Sequence, residues 1–83
     1  MPLYMDVHQK VAGASPRDVA HAHEKDLATQ QKYGVRYLKY WHDAKAGKIF
    51  CLCDAPNAEA AAAVHREAHG LVADEIFLVE EHS

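Results

Sequence analysis

The strongest constraint in this chain is the order in which its apolar pattern changes period: strand, helix, strand, strand, helix, strand. Residues 3–9 alternate, with Leu3, Met5 and Val7 on one face and Tyr4, Asp6 and His8 on the other. A turn at Gly13 follows. Ser15 is then placed to cap a helix, with Pro16 in its first position and Asp18 in its first turn. That helix is predicted to run to Tyr33 and stop at Gly34. Residues 35–42 are rich in β-branched and aromatic side chains and read as a second strand, and residues 43–47 as a hairpin connection. Residues 48–54 form a third strand. Pro56 and Asn57 open a second helix with an alanine-rich body that ends at Gly70, and residues 75–81 form a fourth strand.

The order β-α-β-β-α-β with short connections predicts an α+β fold of the ferredoxin-like, split βαβ kind. Right-handed crossovers would lay both helices on one face of a four-stranded antiparallel sheet. With 83 residues there is room for one domain spanning 1–83. A domain of this size buries a modest share of its surface and gains from a partner. Strict alternation would put Tyr37 and Trp41 on one face of the second strand and Leu38 and Tyr40 on the other. The fourth strand sets Phe77 and Val79 against Ile76 and Leu78. Two helices cover one face only, so the other face is predicted to pack on a second copy, giving a homodimer and a dimeric α+β barrel.

Composition removes several functions. The formal charge is −3, from 9 basic and 12 acidic residues with neither sign gathered into a block, so nucleic acid is not expected as a partner. The first residues carry neither a basic region nor an apolar stretch of the secretory kind, and no apolar run approaches the ~20 residues of a membrane span. A cytoplasmic location, with no membrane partner, is the expectation. The cysteines, Cys51 and Cys53, are one residue apart, too close for an unstrained disulfide, and should be reduced thiols.

Histidine is the unusual entry in the composition, with seven in 83 residues. His65 and His69 stand at i and i+4 on the second helix, a spacing that lets two imidazoles clip one metal ion. Two surface histidines meet this way by chance as well, and the zinc-protease motif is absent because no glutamate follows His65. Asp6 and His8 share a face of the first strand, which this topology makes central. Such a pair either ligates a metal or forms a buried hydrogen-bonded contact. On the first helix the stripe Val19, His23, Asp26, Leu27 and Gln30 should meet the sheet, and His23 and Asp26 can face a common point. Cys51 and Cys53 share a face of the third strand, where a thiolate could complete a soft N/S site or a thiol could simply fill the core. His21 reads as a surface residue, and His42 and His82, near strand ends, read as solvent-facing. The metal-ligand candidates are therefore Asp6, His8, His23, Asp26, Cys51, His65 and His69, for a divalent transition ion. Affinity should fall below the imidazole pKa, about 6.5 when unperturbed.

No catalytic motif is present. The glycines are isolated at turns and helix ends, Ser15 is occupied as a cap, and the remaining serine is terminal Ser83. An enzyme is not expected. The alternatives are a small dimeric α+β barrel enzyme with His8 or His23 as acid-base group, and a non-catalytic regulatory module.

Three strings resemble a known family when taken together. They are Met5-Asp6-Val7-His8, then Phe50-Cys51-Leu52-Cys53-Asp54-Ala55-Pro56, then Val64-His65-Arg66-Glu67-Ala68-His69-Gly70 with Ala73-Asp74-Glu75-Ile76. They are similar to a family of small ferredoxin-like proteins, long catalogued as a domain of unknown function, that includes a nickel-binding member. The resemblance covers nearly the whole chain and is strongest from Cys51 to Ile76. It implies a homodimer that binds nickel or a related divalent ion; zinc and copper suit the same donors, and buffering, storage or sensing is the expected role. Carried over by position, it implies a site at Asp6, His8, Cys51, His65 and His69, with His23 and Asp26 in a helix segment that looks similar. Asp54 stands where the family often has glutamate, a position that looks structural.

Overall fold

The computed structural model describes residues 2–83 and follows the predicted order. Strand β1 spans Leu3–His8, helix α1 Pro16–Thr29, β2 Arg36–Asp43, β3 Lys48–Asp54, α2 Ala58–Ala68 and β4 Glu75–Val79. All pairings are antiparallel, in the order β2-β3-β1-β4, so β1 is central as the topology required. The fold is ferredoxin-like α+β.

Local chemistry sets the element ends. The Ser15 hydroxyl accepts from the Asp18 N–H at 3.1 Å while the Asp18 carboxylate accepts from the Ser15 N–H at 3.1 Å, a reciprocal capping box. After Thr29 the coil tightens into a 3₁₀ turn, Gln30–Tyr33, which ends at Gly34 with φ 68°. Asn57 caps α2 through the Ala60 N–H at 2.8 Å. In the β2–β3 turn, Gly47 has φ 69°, and a Cβ there would come within 3.0 Å of the Ala12 backbone. That glycine lets the loop before α1 dock on the hairpin through a Val11 N–H to Gly47 carbonyl bond of 3.0 Å.

Three expectations need correction. β4 stops at Val79, short of the predicted 81. In β2 the register shifts between Tyr37 and Lys39, so Tyr37 pairs with Cys53 and Tyr40 with Cys51, both on the helix-facing side. Leu38 is the extra residue of a bulge, which takes Tyr37 away from Trp41 and breaks the strict alternation read from sequence. On α1, Leu27 is 43% exposed and does not meet the sheet, because Val19 and Asp26 form the buried stripe.

The core between helices and sheet holds Val35, Tyr37, Cys51, Cys53, Ala55, Ala61 and Val64. On α2 the small side chains Ala61 and Ala62 are buried beside Val64. Part of the same buried layer is polar: Asp6, His8, Asp26 and His65 are all buried, and His65 is among the largest fully buried side chains. A small domain loses stability by burying such groups unless they are paired or used.

Candidate metal centre

Central strand β1 delivers Asp6 and His8 to the helix-facing side, next to Cys51 of β3, whose Cα is the partner of Asp6 in the ladder. From above, α2 contributes His65 and His69, and α1 contributes Asp26. The donor atoms of Asp6, His8, Cys51 and His65 lie within 4.8 Å of one another, and all four residues are buried. A second group, Asp26, His65 and His69, overlaps it through His65 and meets the same distance. Side chains from distant parts of the chain thus converge once the sheet and helices assemble.

The hydrogen bonds order this cluster. His65 stands between two carboxylates, with Nδ1 2.9 Å from Asp26 Oδ1 and Nε2 3.0 Å from Asp6 Oδ2. His69 Nε2 also reaches Asp26 Oδ1, at 3.0 Å, while its Nδ1 accepts the Leu71 N–H at 3.1 Å. With Nδ1 accepting, the neutral His69 ring carries its proton on Nε2 and gives it to Asp26. The helical i, i+4 pair therefore meets at the Asp26 carboxylate. Asp6 Oδ2 takes a further bond from the Tyr37 hydroxyl at 2.6 Å. Its other oxygen, Oδ1, is buried and has no hydrogen-bond partner among the described residues. His8 Nε2 lies 3.3 Å from Oδ1 but is too poorly aligned to donate.

Burial and charge work against each other here. Burial alone would raise the Asp6 pKa, but the His65 ring, the nearby His8 ring and the Tyr37 hydroxyl together overcome it and hold the carboxyl well below the usual range. Asp26 is lowered in the same way, burial being outweighed by His65 and His69. For His65 burial favours the neutral ring, yet Asp26 and Asp6 together push the pKa up to about 9. Burial, reinforced by the Asp6 charge, pushes the Cys51 thiol far up, and Cys53 rises to about 12 for the same reasons. Both cysteines are free.

A cavity of about 40 Å³ adjoins the cluster, lined in part by His8, His23, Asp26, Cys51, His65 and His69. His23 reaches this wall, its ring 4.8 Å from that of Tyr40, but joins neither donor group. His21 is exposed, as is His82, which sits beside Glu80. His42, expected to face solvent, is half-buried, its Nε2 enclosed and without a hydrogen-bond partner among the described residues, because the bulge turns it toward the helix side. Sequence reasoning missed Tyr37, since period-two alternation paired it with Trp41 and only the bulge directs its hydroxyl to Asp6. No spacing rule would have flagged it. Asp54 is structural, held by Arg36 Nη2 at 2.8 Å across the β2–β3 pair.

The donor set fits an ion on the structure's own terms: nitrogen, oxygen and sulfur donors converge, and the buried Oδ1 of Asp6, 3.3 Å from His8 Nε2, has no hydrogen-bond partner among the described residues. The family described as nickel responsive protein, SCO4226-like, matches residues 4–79. The crystal structure of SCO4226 from Streptomyces coelicolor A3(2) superposes with a TM-score of 0.91 and 37% identity, covering 98% of this chain and 99% of that one. No curated protein shows significant similarity. With its family match spanning nearly all of the sequence, this chain belongs to the SCO4226-like family of nickel-responsive proteins.

Proposed function

We propose that this chain binds a nickel ion through Asp6, His8, Cys51 and Nε2 of His65, and does so as a homodimer. The observation that carries the reading is a buried four-residue donor cluster in which Asp6 Oδ1 has no hydrogen-bond partner among the described residues. Leaving such an oxygen buried without a hydrogen-bond partner costs about 1–3 kcal/mol or more, and an ion at that point removes the cost. Bound there, the ion supplies the positive charge that a buried carboxylate and thiolate require. Zinc and copper suit the same atoms, and the family's description favours nickel.

Asp26 and His69 act one step behind the ion. Asp26 keeps a proton on Nδ1 of His65, which leaves Nε2 as the nitrogen free to ligate. His69, fixed by the Leu71 N–H, holds Asp26 in place. His23 flanks the cavity through which the ion would pass. We read the role as binding, in buffering, storage or sensing, and not as catalysis. The free thiols suit a reducing, cytoplasmic setting. Among the described residues no helix is long and apolar enough to cross a membrane.

Dimerisation is supported by the sheet face that the helices leave bare. Leu3, Met5, Trp41 and Leu52 line a shallow groove there, and Trp41 and Phe77 are 47% and 46% exposed. A second copy covering that face is the arrangement of a dimeric α+β barrel.

Calorimetric titration of metal-free protein with Ni²⁺, Zn²⁺ and Cu²⁺ tests the metal reading. Wild type is expected to take up nickel, and His65→Ala and Asp6→Ala to weaken uptake by more than about a hundredfold. Absence of uptake below millimolar nickel sinks the proposal.

A further inference from the structure

Tyr37 touches the site without being one of the donors. Its side chain is buried in β2, and its hydroxyl lies 2.6 Å from Asp6 Oδ2, 2.9 Å from His65 Nε2 and 3.3 Å from the Ala61 carbonyl. A phenol has one proton to donate, and the shortest contact, which is also charge-assisted, runs to the carboxylate. The two oxygens of Asp6 are therefore unequal: Oδ2 accepts from Tyr37, and Oδ1 has no hydrogen-bond partner among the described residues.

We propose that Tyr37 is a positioning residue that makes Asp6 a one-oxygen ligand, tethering Oδ2 so that Oδ1 alone is presented to the ion; this rests on the nickel-binding reading above. When an ion takes Nε2 of His65, that nitrogen no longer donates to Oδ2, and the Tyr37 hydroxyl is the bond left to hold it. A carboxylate so tethered cannot swing round to chelate through both oxygens. Chelating carboxylates suit larger ions with loose coordination shells, whereas one-oxygen ligation suits compact ions with strict geometry. Tyr37 thus selects for small first-row ions over larger divalent ions such as Cd²⁺.

The test compares wild type with Tyr37→Phe, which keeps the ring in the core and removes only the hydroxyl. Nickel and cadmium affinities are measured by competition with a chromophoric chelator. In the variant nickel should weaken by about ten- to a hundredfold and cadmium much less, so that the preference for nickel narrows. On nickel-loaded protein with ¹³C-labelled aspartate, difference infrared should show a wide antisymmetric–symmetric splitting for Asp6 in wild type. That splitting should narrow in Tyr37→Phe as the carboxylate turns to chelate. The wild-type spectrum stands whether or not the variant folds, and a narrow splitting there overturns the role. So does a variant with unchanged preference and splitting. A phenolate-to-metal charge-transfer band in copper-loaded wild type, lost in Tyr37→Phe, would make Tyr37 a ligand and also overturn it. Wild type that takes up no nickel fails at the earlier step, the nickel reading itself, and this inference falls with it.

Discussion

Asp26 on α1 and His65 on α2 meet across the helix pair, Oδ1 to Nδ1 at 2.9 Å, with both side chains almost wholly enclosed. An aspartate on the buried stripe of a helix is a poor choice for packing, and here it is matched by an imidazole that is equally poor. Each satisfies the other, and the pair fixes which His65 nitrogen faces the sheet. The contact between helices and the presentation of a donor to Asp6, His8 and Cys51 are thus one interaction.

Replacing Asp26 should therefore damage binding without removing a ligand. In Asp26→Asn the acceptor weakens, and both His65 and His69 lose their charged partner. Nickel affinity measured by calorimetry should fall by about ten- to a hundredfold, with stoichiometry unchanged. A complete loss of uptake in a folded Asp26→Asn protein would instead place Asp26 on the ion.

Binding should release protons, and its pH dependence should extend well above the range of an ordinary histidine. The carboxylates around His65 raise its pKa to about 9, so at pH 7 an ion must displace a proton from Nε2. The unperturbed value of about 6.5, adopted from sequence, is replaced by this higher one. Affinity should climb by about tenfold per pH unit from this group up to about pH 9 and level beyond it. The buried Cys51 thiol, itself held protonated, should give up a further proton on ligation. Calorimetry in buffers of differing ionisation enthalpy counts both, and a nickel heat independent of buffer would contradict this arrangement.

The metal-free protein should also carry a signature in its stability. His65 has a raised pKa, so its contribution is complete below about 6.5 and is lost as pH rises through about 9. Asp6 and Asp26 have lowered pKa values, so theirs are present above the ordinary carboxylate range and are lost as pH falls. Thermal unfolding in chelator should show a plateau between these limits and an alkaline decline on the order of 3 kcal/mol from His65. Nickel loading should remove the His65 part of that decline, which falls below about pH 9, because the proton that titrates there is gone. A metal-free melting temperature that stays flat from pH 6 to 10 would deny the charged state of His65.

The sequence carried the architecture because each element has its own local signal. The Ser15–Asp18 box, Gly34, the hairpin at Gly47 and the Asn57 cap all act within a few residues. The site was legible in part for the same reason: Asp6 with His8, and His65 with His69, stand at intervals that share a face. What could not be read was the partnering. That His65 lies between Asp6 and Asp26, 59 and 39 residues away, follows from strand order and helix placement. The role of Tyr37 depends on one bulge at Leu38, which reverses the face of every later residue in β2.

That same reversal frames a last prediction, on the relation between dimer and metal. Past the bulge, Trp41 falls in register with Phe50 and turns to the bare sheet face, whereas Tyr40 pairs with Cys51 on the side of the site. The donors Asp6, His8, Cys51 and His65 all come from one chain and lie under the helices, on the opposite side of the sheet from Trp41. Placing a charge in an apolar contact disfavours association, while Trp41 is exposed enough for the isolated fold to tolerate the change. Trp41→Glu should therefore sediment as a monomer in analytical ultracentrifugation, where wild type is expected to sediment as the proposed dimer. The monomer should still take up nickel with the same number of ions per chain and an affinity within about threefold, since no donor crosses the sheet. Loss of metal on dissociation would mean that the second copy completes the site. A wild type that sediments as a monomer would leave the exposed sheet face to some other partner.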